Sequence, residues 1–200
     1  MIGAADPATD LPDRVRLPFR FDAAALAADV AGFAEADWVR HPVRQNYDGQ
    51  WSVLPLRAPA GETHPIRMIY PDPCATAFVD TPLLDRAPAV RAALAHFHCR
   101  LRTVRLLRLA PGSTILRHVD SGLDPENGML RIHIPVWTEP DVRFLLNDVP
   151  VAMTPGSAWY LRLSDPHEVM HRGKVDRVHL VVDCWSNDWL LAALHGAAAA

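Results

Sequence analysis

His118-Val119-Asp120, followed far downstream by His167 and then Arg177, are the residues of this chain whose types and spacing could do chemistry. On an extended strand, residues i and i+2 project from the same face, so His118 and Asp120 stand side by side. A distant histidine folded against them completes a face of two imidazoles and one carboxylate. That donor set leaves adjacent coordination positions open and is the one used by non-haem Fe(II) oxygenases. Its single negative charge leaves a bound ferrous ion one net positive charge, which suits an anionic oxo-acid and O2 entering together. Read alone, the tripeptide is a weak signal and is more often a hydrogen-bonded pair on a strand.

Arg177 supplies the wider context. It follows His167 after a glycine-containing turn and opens the apolar run Val178-His179-Leu180-Val181-Val182. An arginine aimed into a buried strand face is costly unless it meets an anion. The far carboxylate of 2-oxoglutarate is such an anion. In Arg131-Ile132-His133-Ile134-Pro135-Val136, alternation sends Arg131 and His133 to one face, and in the last strand Arg177, His179, Val181 and Asp183 share a face. Cationic and imidazole groups gathered on inward faces are not what a purely structural core collects.

These side chains need a β scaffold to converge. From Leu101 onward the chain reads as short strands between turn signals: Thr103–Leu109, Thr114–Asp120, Met129–Val136, Val142–Leu146, Val149–Met153, Ala158–Leu163, Glu168–His171 and Arg177–Cys184. Turns fall at Pro111-Gly112, Pro125 to Gly128, Asn147-Asp148, Pro155-Gly156 and Arg172-Gly173. About eight strands in this length predict a mainly β fold, a double-stranded β-helix (jelly roll, cupin-like) with flanking helices. Residues 101–185 are its core and carry the candidate site. Before it come a helix from Asp22 to Glu35 capped by Asp22, strands at Trp51–Leu56 and Ile66–Tyr70, and a helix from Ala87 to His98 entered through Pro88. His96 and His98 read as structural. A closing helix from Asn187 to Leu194 ends at Gly196, and about the first 20 residues read as a flexible lead.

The chain has 200 residues, 50% of them apolar and 22% charged, which suits one soluble globular domain over 1–200. A net charge of −3 gives no argument for nucleic acid or an anionic membrane. No apolar run is long enough to span a bilayer, and Met1–Asp10 lacks the pattern of a secretory signal. The three cysteines, Cys74, Cys99 and Cys184, lack metal-ligand spacing and read as structural thiols of a reducing, cytoplasmic compartment.

His167-Glu168-Val169-Met170-His171 also fits HExxH, in which two histidines on one helix face hold zinc and the glutamate activates water. Gly173 would end such a helix after barely two turns, no glutamate follows Glu168 as a further ligand, and strand-like flanks surround it. A zinc hydrolase is therefore the lesser alternative, behind a non-catalytic cupin-like domain that holds a metal or small anion. On a strand, His167 and His171 share a face, so geometry leaves either as the distal ligand.

Several segments resemble the aspartyl/asparaginyl β-hydroxylase family of Fe(II)/2-oxoglutarate dioxygenases, in its bacterial branch acting on free amino acids such as proline. They are Leu109-Ala110-Pro111-Gly112 ahead of His118, Arg131-Ile132-His133, Pro155 to Tyr160, Asp165-Pro166-His167-Glu168-Val169 and Arg177 to Asp183, with Tyr47 to Val53 earlier. The resemblance spans roughly residues 38–190. It implies that His118, Asp120 and His167 hold Fe(II), that Arg177 binds the distal carboxylate of 2-oxoglutarate, and that Arg131 and His133 lie near the carboxylate that coordinates iron. It also implies O2 as cosubstrate, release of succinate and CO2, and hydroxylation of a small-molecule substrate, an amino acid or a relative of one. Asp120 matches the free-amino-acid enzymes, whereas the animal aspartyl hydroxylases have glycine there. A carboxylate at this place also fills the position a halide would need. Met129 stands where those animal enzymes carry a substrate-side arginine. Arg117, Trp51, Tyr160 and Arg162 are further candidates for the mouth of the site.

Overall fold

The computed structural model describes residues 11–70 and 73–199. Thirteen strands run in chain order: β1 (Arg14–Arg20), β2 (Val39–Arg40), β3 (Tyr47–Asp48), β4 (Trp51–Pro59), β5 (Phe78–Asp80), β6 (Leu101–Leu109), β7 (Thr114–His118), β8 (Met129–Trp137), β9 (Val142–Leu146), β10 (Val149–Pro150), β11 (Ser157–Leu161), β12 (His167–His171) and β13 (Arg177–Trp185). Four α-helices accompany them, α1 (Ala23–Ala31), α2 (Pro65–Ile69), α3 (Pro88–Leu94) and α4 (Asp188–Ala198). The larger sheet is ordered β1-β11-β8-β13-β6-β4-β2, with β5 on β4, and the smaller is β10-β9-β12-β7-β3. Every pairing is antiparallel. The two sheets face each other as the expected double-stranded β-helix. No helix among the described residues is long and apolar enough to cross a membrane.

Alternation divides the apolar side chains into two layers. On β13, Val178, Leu180, Val182 and Cys184 join Leu130, Ile132 and Ile134 of β8 in a core against the helices, where Leu26, Val30, Val90, Leu94, Leu190 and Leu194 pack. The opposite face looks between the sheets, with Val181, Leu107 and Leu109 meeting Ile115, Phe144 and Val169. β13 lies between β6 and β8 and is buried along almost its whole length. Arg177, His179 and Asp183 are therefore forced inside, on the face the sequence assigned to them.

Local chemistry sets the ends. Asp22 caps α1 by accepting from the amides of Ala24 and Ala25 at 2.9 and 3.0 Å, a contact worth about 1 kcal/mol. The buried carboxylate of Asp29 on α1 accepts from the Val90 amide at 2.9 Å and so ties α1 to the start of α3. Asn147 and Asp148 both take positive φ, 50° and 63°, the two-residue turn that closes β9 onto β10. Gly156, at φ +75°, passes so close to Phe21 that a Cβ would lie 2.3 Å from its carbonyl oxygen.

Five expectations change. Ile66–Tyr70 is not a strand: Pro65 starts the short helix α2 instead, and Ile69 is its buried residue. The helix expected to reach Glu35 stops at Gly32, and that expected to reach His98 stops after Leu94. α4 runs through Gly196 to Ala198. The lead expected over 1–20 lies outside the described residues only as far as residue 10, because Arg14–Arg20 pairs with β11 and buries Val15 and Leu17.

Candidate metal centre

β7 and β12 place the two histidines. His118, the last residue of β7, pairs in register with His167, the first of β12, and their ring centroids lie 4.3 Å apart. Beyond β7 the Asp120 amide donates to the Leu163 carbonyl at 2.8 Å, which turns its side chain back to the pair. One ligand atom from each of His118, Asp120 and His167 lies within 4.8 Å of the others. His118 Nδ1 donates to the Leu116 carbonyl at 2.7 Å, and His167 Nδ1 donates to the Asp165 carbonyl at 3.0 Å. In the neutral ring such a bond leaves Nε2 as the lone-pair nitrogen, the arrangement a metal needs. Burial, against the pull of the Asp165 carbonyl, brings the His167 pKa down to about 4, so its imidazole is neutral around pH 7. Burial alone would raise the Asp120 carboxyl, but Arg131 and the two imidazoles outweigh it and hold it below its ordinary range. The donor set fits a divalent metal with open positions.

Behind Asp120 lies a buried charge network. Arg131 donates to Asp120 Oδ2 at 2.5 Å and grips Asp183 with two further bonds at 2.6 and 3.0 Å. Asp183 also accepts from Arg105 at 2.5 Å and from Thr103 at 2.8 Å. Burial opposes its charge, yet these two guanidiniums hold its carboxyl far below the usual range. Arg105 Nη1 reaches the Ile69 carbonyl at 2.9 Å, which gives the short helix α2 its place at the site.

On the other side, Arg177 is 2% exposed and pairs with no carboxylate among the described residues. Its neighbours are His179 Nδ1, 2.9 Å from Nη2, and the Phe144 ring, 5.9 Å away. Burial, with nothing to offset it, pushes its pKa down to about 9. His133 Nδ1 lies 3.3 Å from His179 Nδ1, and its Nε2 is buried without a hydrogen-bond partner. Burial and then Arg177 hold both His133 and His179 well below the ordinary imidazole value. A cavity of about 330 Å³ opens onto Arg177 and His179 between Phe144, Val151, Met153 and Thr138. Phe144 also stacks on His167, with centroids 6.2 Å apart and planes at 4°, so one ring joins cavity and metal face.

Residues 22–187 match the family described as aspartyl/asparaginyl beta-hydroxylase. The chain belongs to that family. It is similar to the L-proline cis-4-hydroxylase of Rhizobium meliloti (strain 1021), 26% identical over 166 residues, 82% of this chain and 58% of that one. The chain thus spans little more than half the length of this curated relative. Among solved structures it resembles the non-heme alpha ketoglutarate dependent epimerase from nogalamycin biosynthesis (TM-score 0.55, 13% identity, 90% of this chain and 80% of that one). It also resembles a 2OG-Fe(II) oxygenase family oxidoreductase from Burkholderia pseudomallei (TM-score 0.53, 19% identity, 88% of this chain and 85% of that one). Both likenesses are of fold.

In this β-hydroxylase family member the six site residues named from sequence converge, and several others prove different. His167-Glu168-Val169-Met170-His171 is a strand, not a helix, which removes the HExxH zinc site. His171 is also spent: Nε2 donates to the Val175 carbonyl at 2.7 Å and Nδ1 accepts from the Gly173 amide at 3.1 Å. Arg117 pairs with Asp148 on the surface, Arg162 pairs with Glu126, and Tyr160 lies in the outer core. Trp51 is buried in the core between the sheets, stacked at 3.6 Å on His41. Burial and then Arg105 bring the His41 pKa down to about 3, with Asp120 and His118 also within electrostatic reach. Arg105 was hard to single out, since Arg102 and Arg108 flank it on β6 at three-residue spacing and only the folded strand shows it buried. His41 carries no signal beyond being a histidine.

Proposed function

We propose that this protein is an Fe(II)/2-oxoglutarate-dependent dioxygenase that hydroxylates an unactivated C–H bond of an amino acid or related small metabolite. Ferrous iron, with 2-oxoglutarate and O2, supplies the oxidising power for C–H cleavage, and succinate and CO2 are released. His118, Asp120 and His167 hold the metal through Nε2, a carboxylate oxygen and Nε2. Arg177 takes the distal carboxylate of 2-oxoglutarate, where a charge-assisted fork fixes orientation as well as adding affinity. His133, within electrostatic reach of Arg177 and His167, would offer its unpartnered Nε2 to a bound oxo-acid. Arg131 serves the iron-side carboxylate with its remaining N–H groups while it holds Asp120. Phe144, stacked on His167, and Leu146, its neighbour on β9, are buried apolar residues that would shield this end from water.

The single observation that carries the reading is a buried, uncompensated guanidinium joined through one phenylalanine to a two-histidine, one-carboxylate face. An isolated buried cation is a standing cost that a dicarboxylate removes. The named activity of the similar Rhizobium protein supports a free amino acid as substrate. The cysteine usage supports a cytoplasmic setting.

The test is anaerobic addition of Fe(II) and 2-oxoglutarate, which should give a visible charge-transfer band. Air should then release succinate, and a panel of amino acids, proline first, should include one that accelerates it. Absence of both band and succinate would leave a non-catalytic binding domain.

A further inference from the structure

The larger sheet carries a second guanidinium without a counter-charge, at the end of the barrel where Arg131 meets Asp120. Strict alternation along β6 would send Arg102 outward with Val104, which packs in the core against the helices. The pairing of β6 with β13 prevents this. Val104 stands opposite Val182 and Leu101 opposite Cys184, so Arg102 and Thr103 together face the single residue Asp183. The extra residue on β6 is a β-bulge, a device that re-aims side chains. Leu101 and Val104 both keep to the helix side, whereas Thr103 donates to Asp183 at 2.8 Å on the inner side. Arg102 turns to that side as well. Its Nη1 lies 2.9 Å from the sulfur of Met129, the first residue of β8, which packs with the core between the sheets.

Arg102 is half-buried, and its Nε is enclosed without a hydrogen-bond partner. Its other neighbour is the Phe78 ring, whose centroid is 5.4 Å from the guanidinium carbon. A thioether and a ring face are weak partners for a cation. The side chain makes no other hydrogen bond and no ion pair among the described residues. Arg105 lies within its electrostatic reach. Arg105 and Arg131 share Asp183, and Arg131 also holds Asp120. Three guanidiniums therefore meet two carboxylates, and Arg102 is the one left over.

We propose that Arg102 binds a carboxylate of the substrate, an amino acid held by that group at the open end of the barrel with its remainder turned toward the metal face. The proposal rests on the hydroxylase reading and names the residue that selects the substrate. Met129 and Arg131 are two residues apart on β8, about 7 Å. A carboxylate at Arg102 thus stands beyond the Arg131–Asp120 contact by roughly the length of a small amino acid. A charge-assisted guanidinium–carboxylate contact fixes orientation as well as adding affinity, so Arg102 governs which C–H bond faces the metal. The α-amide of the same amino acid has no charge to offer and leaves Arg102 unpaired.

The probes are the twenty standard amino acids and their α-amides. Each is tested on the full chain for the rise in Tm it gives and for acceleration of succinate release with Fe(II), 2-oxoglutarate and air. At least one acid should do both, and its amide should do neither. For that acid, Arg102→Gln should raise KM about 10- to 100-fold with a smaller change in kcat, and should cancel the rise in Tm. Arg102→Lys should recover part of the affinity, since an ammonium supplies the charge without the fork. A purely structural role against Phe78 and Met129 would instead lower the ligand-free Tm of Arg102→Gln and leave KM as it was. That result overturns the proposal, as does an amide that acts as well as its acid, or a panel in which no acid has either effect. Natural protein that releases no succinate would count against the hydroxylase reading instead. The Tm shifts of acids against amides, in natural and Arg102→Gln protein, would then decide for or against Arg102 by themselves.

Discussion

Asp120 and Asp183 grip opposite sides of one guanidinium: Arg131 donates to the first at 2.5 Å and to the second at 2.6 and 3.0 Å. The candidate metal carboxylate is therefore positioned from the centre of the larger sheet, through a partner that leaves its other oxygen to the metal. Orientation of this kind supplies much of a metal site's affinity.

Replacing Arg131 with Met should lower affinity for cobalt(II), followed by its absorption bands, by about 10- to 100-fold. Arg131→Lys should recover part of this, because an ammonium reaches one carboxylate as a point charge but cannot fork across two. Equal affinity in all three proteins would mean that Asp120 needs no brace.

Arg177 bears on stability and cosubstrate in opposite directions. Arg177→Met removes a buried cation without a counter-charge, so the ligand-free protein should melt at the same or a higher temperature, by analogy with the neutral-to-stabilising replacement of buried ions by apolar residues. The rise in Tm that 2-oxoglutarate gives the natural protein should vanish in the variant. Thermal melts with and without 2-oxoglutarate check both halves.

His167 and His171 share one face of β12 but should differ in effect. His167→Ala should abolish cobalt binding. His171→Ala should leave binding in place and lower Tm, because it frees the Val175 carbonyl and the Gly173 amide that the ring now joins. Loss of metal in His171→Ala with retention in His167→Ala would transfer the distal ligand to His171.

Acid should weaken the fold through His41. Its folded pKa is about 3 against an ordinary 6.5, so between these values the unfolded chain binds the proton and the folded one does not. Unfolding free energy therefore rises with pH across that window, and the contribution falls away as pH drops below 6.5. The slope from one such group is at most about 1.4 kcal/mol per pH unit. His41→Phe keeps a ring over Trp51 and removes the titration, so its Tm should fall less than that of the natural protein between pH 7 and pH 5.

The readable parts of the sequence were those where one rule acted alone. Alternation along β8 and β13 put Arg131, His133, Arg177, His179 and Asp183 on the inner face, and strict burial of both strands enforced it. Asn147-Asp148 announced its turn through residues that tolerate positive φ. Ile66–Tyr70 misled because five residues are too few for periodicity to separate a strand from a helical turn, and Pro65 decided the matter. Arg14–Arg20 does alternate, with Val15 and Leu17 inward, but Pro18 interrupts the run and its partner β11 lies far along the chain. The Arg131–Asp183 grip and the His41–Trp51 stack were not legible, since each depends on segments that meet only after the sheets have closed.

His118 and His167 each anchor Nδ1 to the carbonyl two positions back in their own chain, at Leu116 and Asp165. The aim of both imidazoles is thus written largely into the main chain, with Phe144, stacked on His167, the one further aromatic side chain beside them among the described residues. Lineages built on this barrel can trade the residues around the mouth, and with them the molecule that is accepted, while the claw keeps its shape.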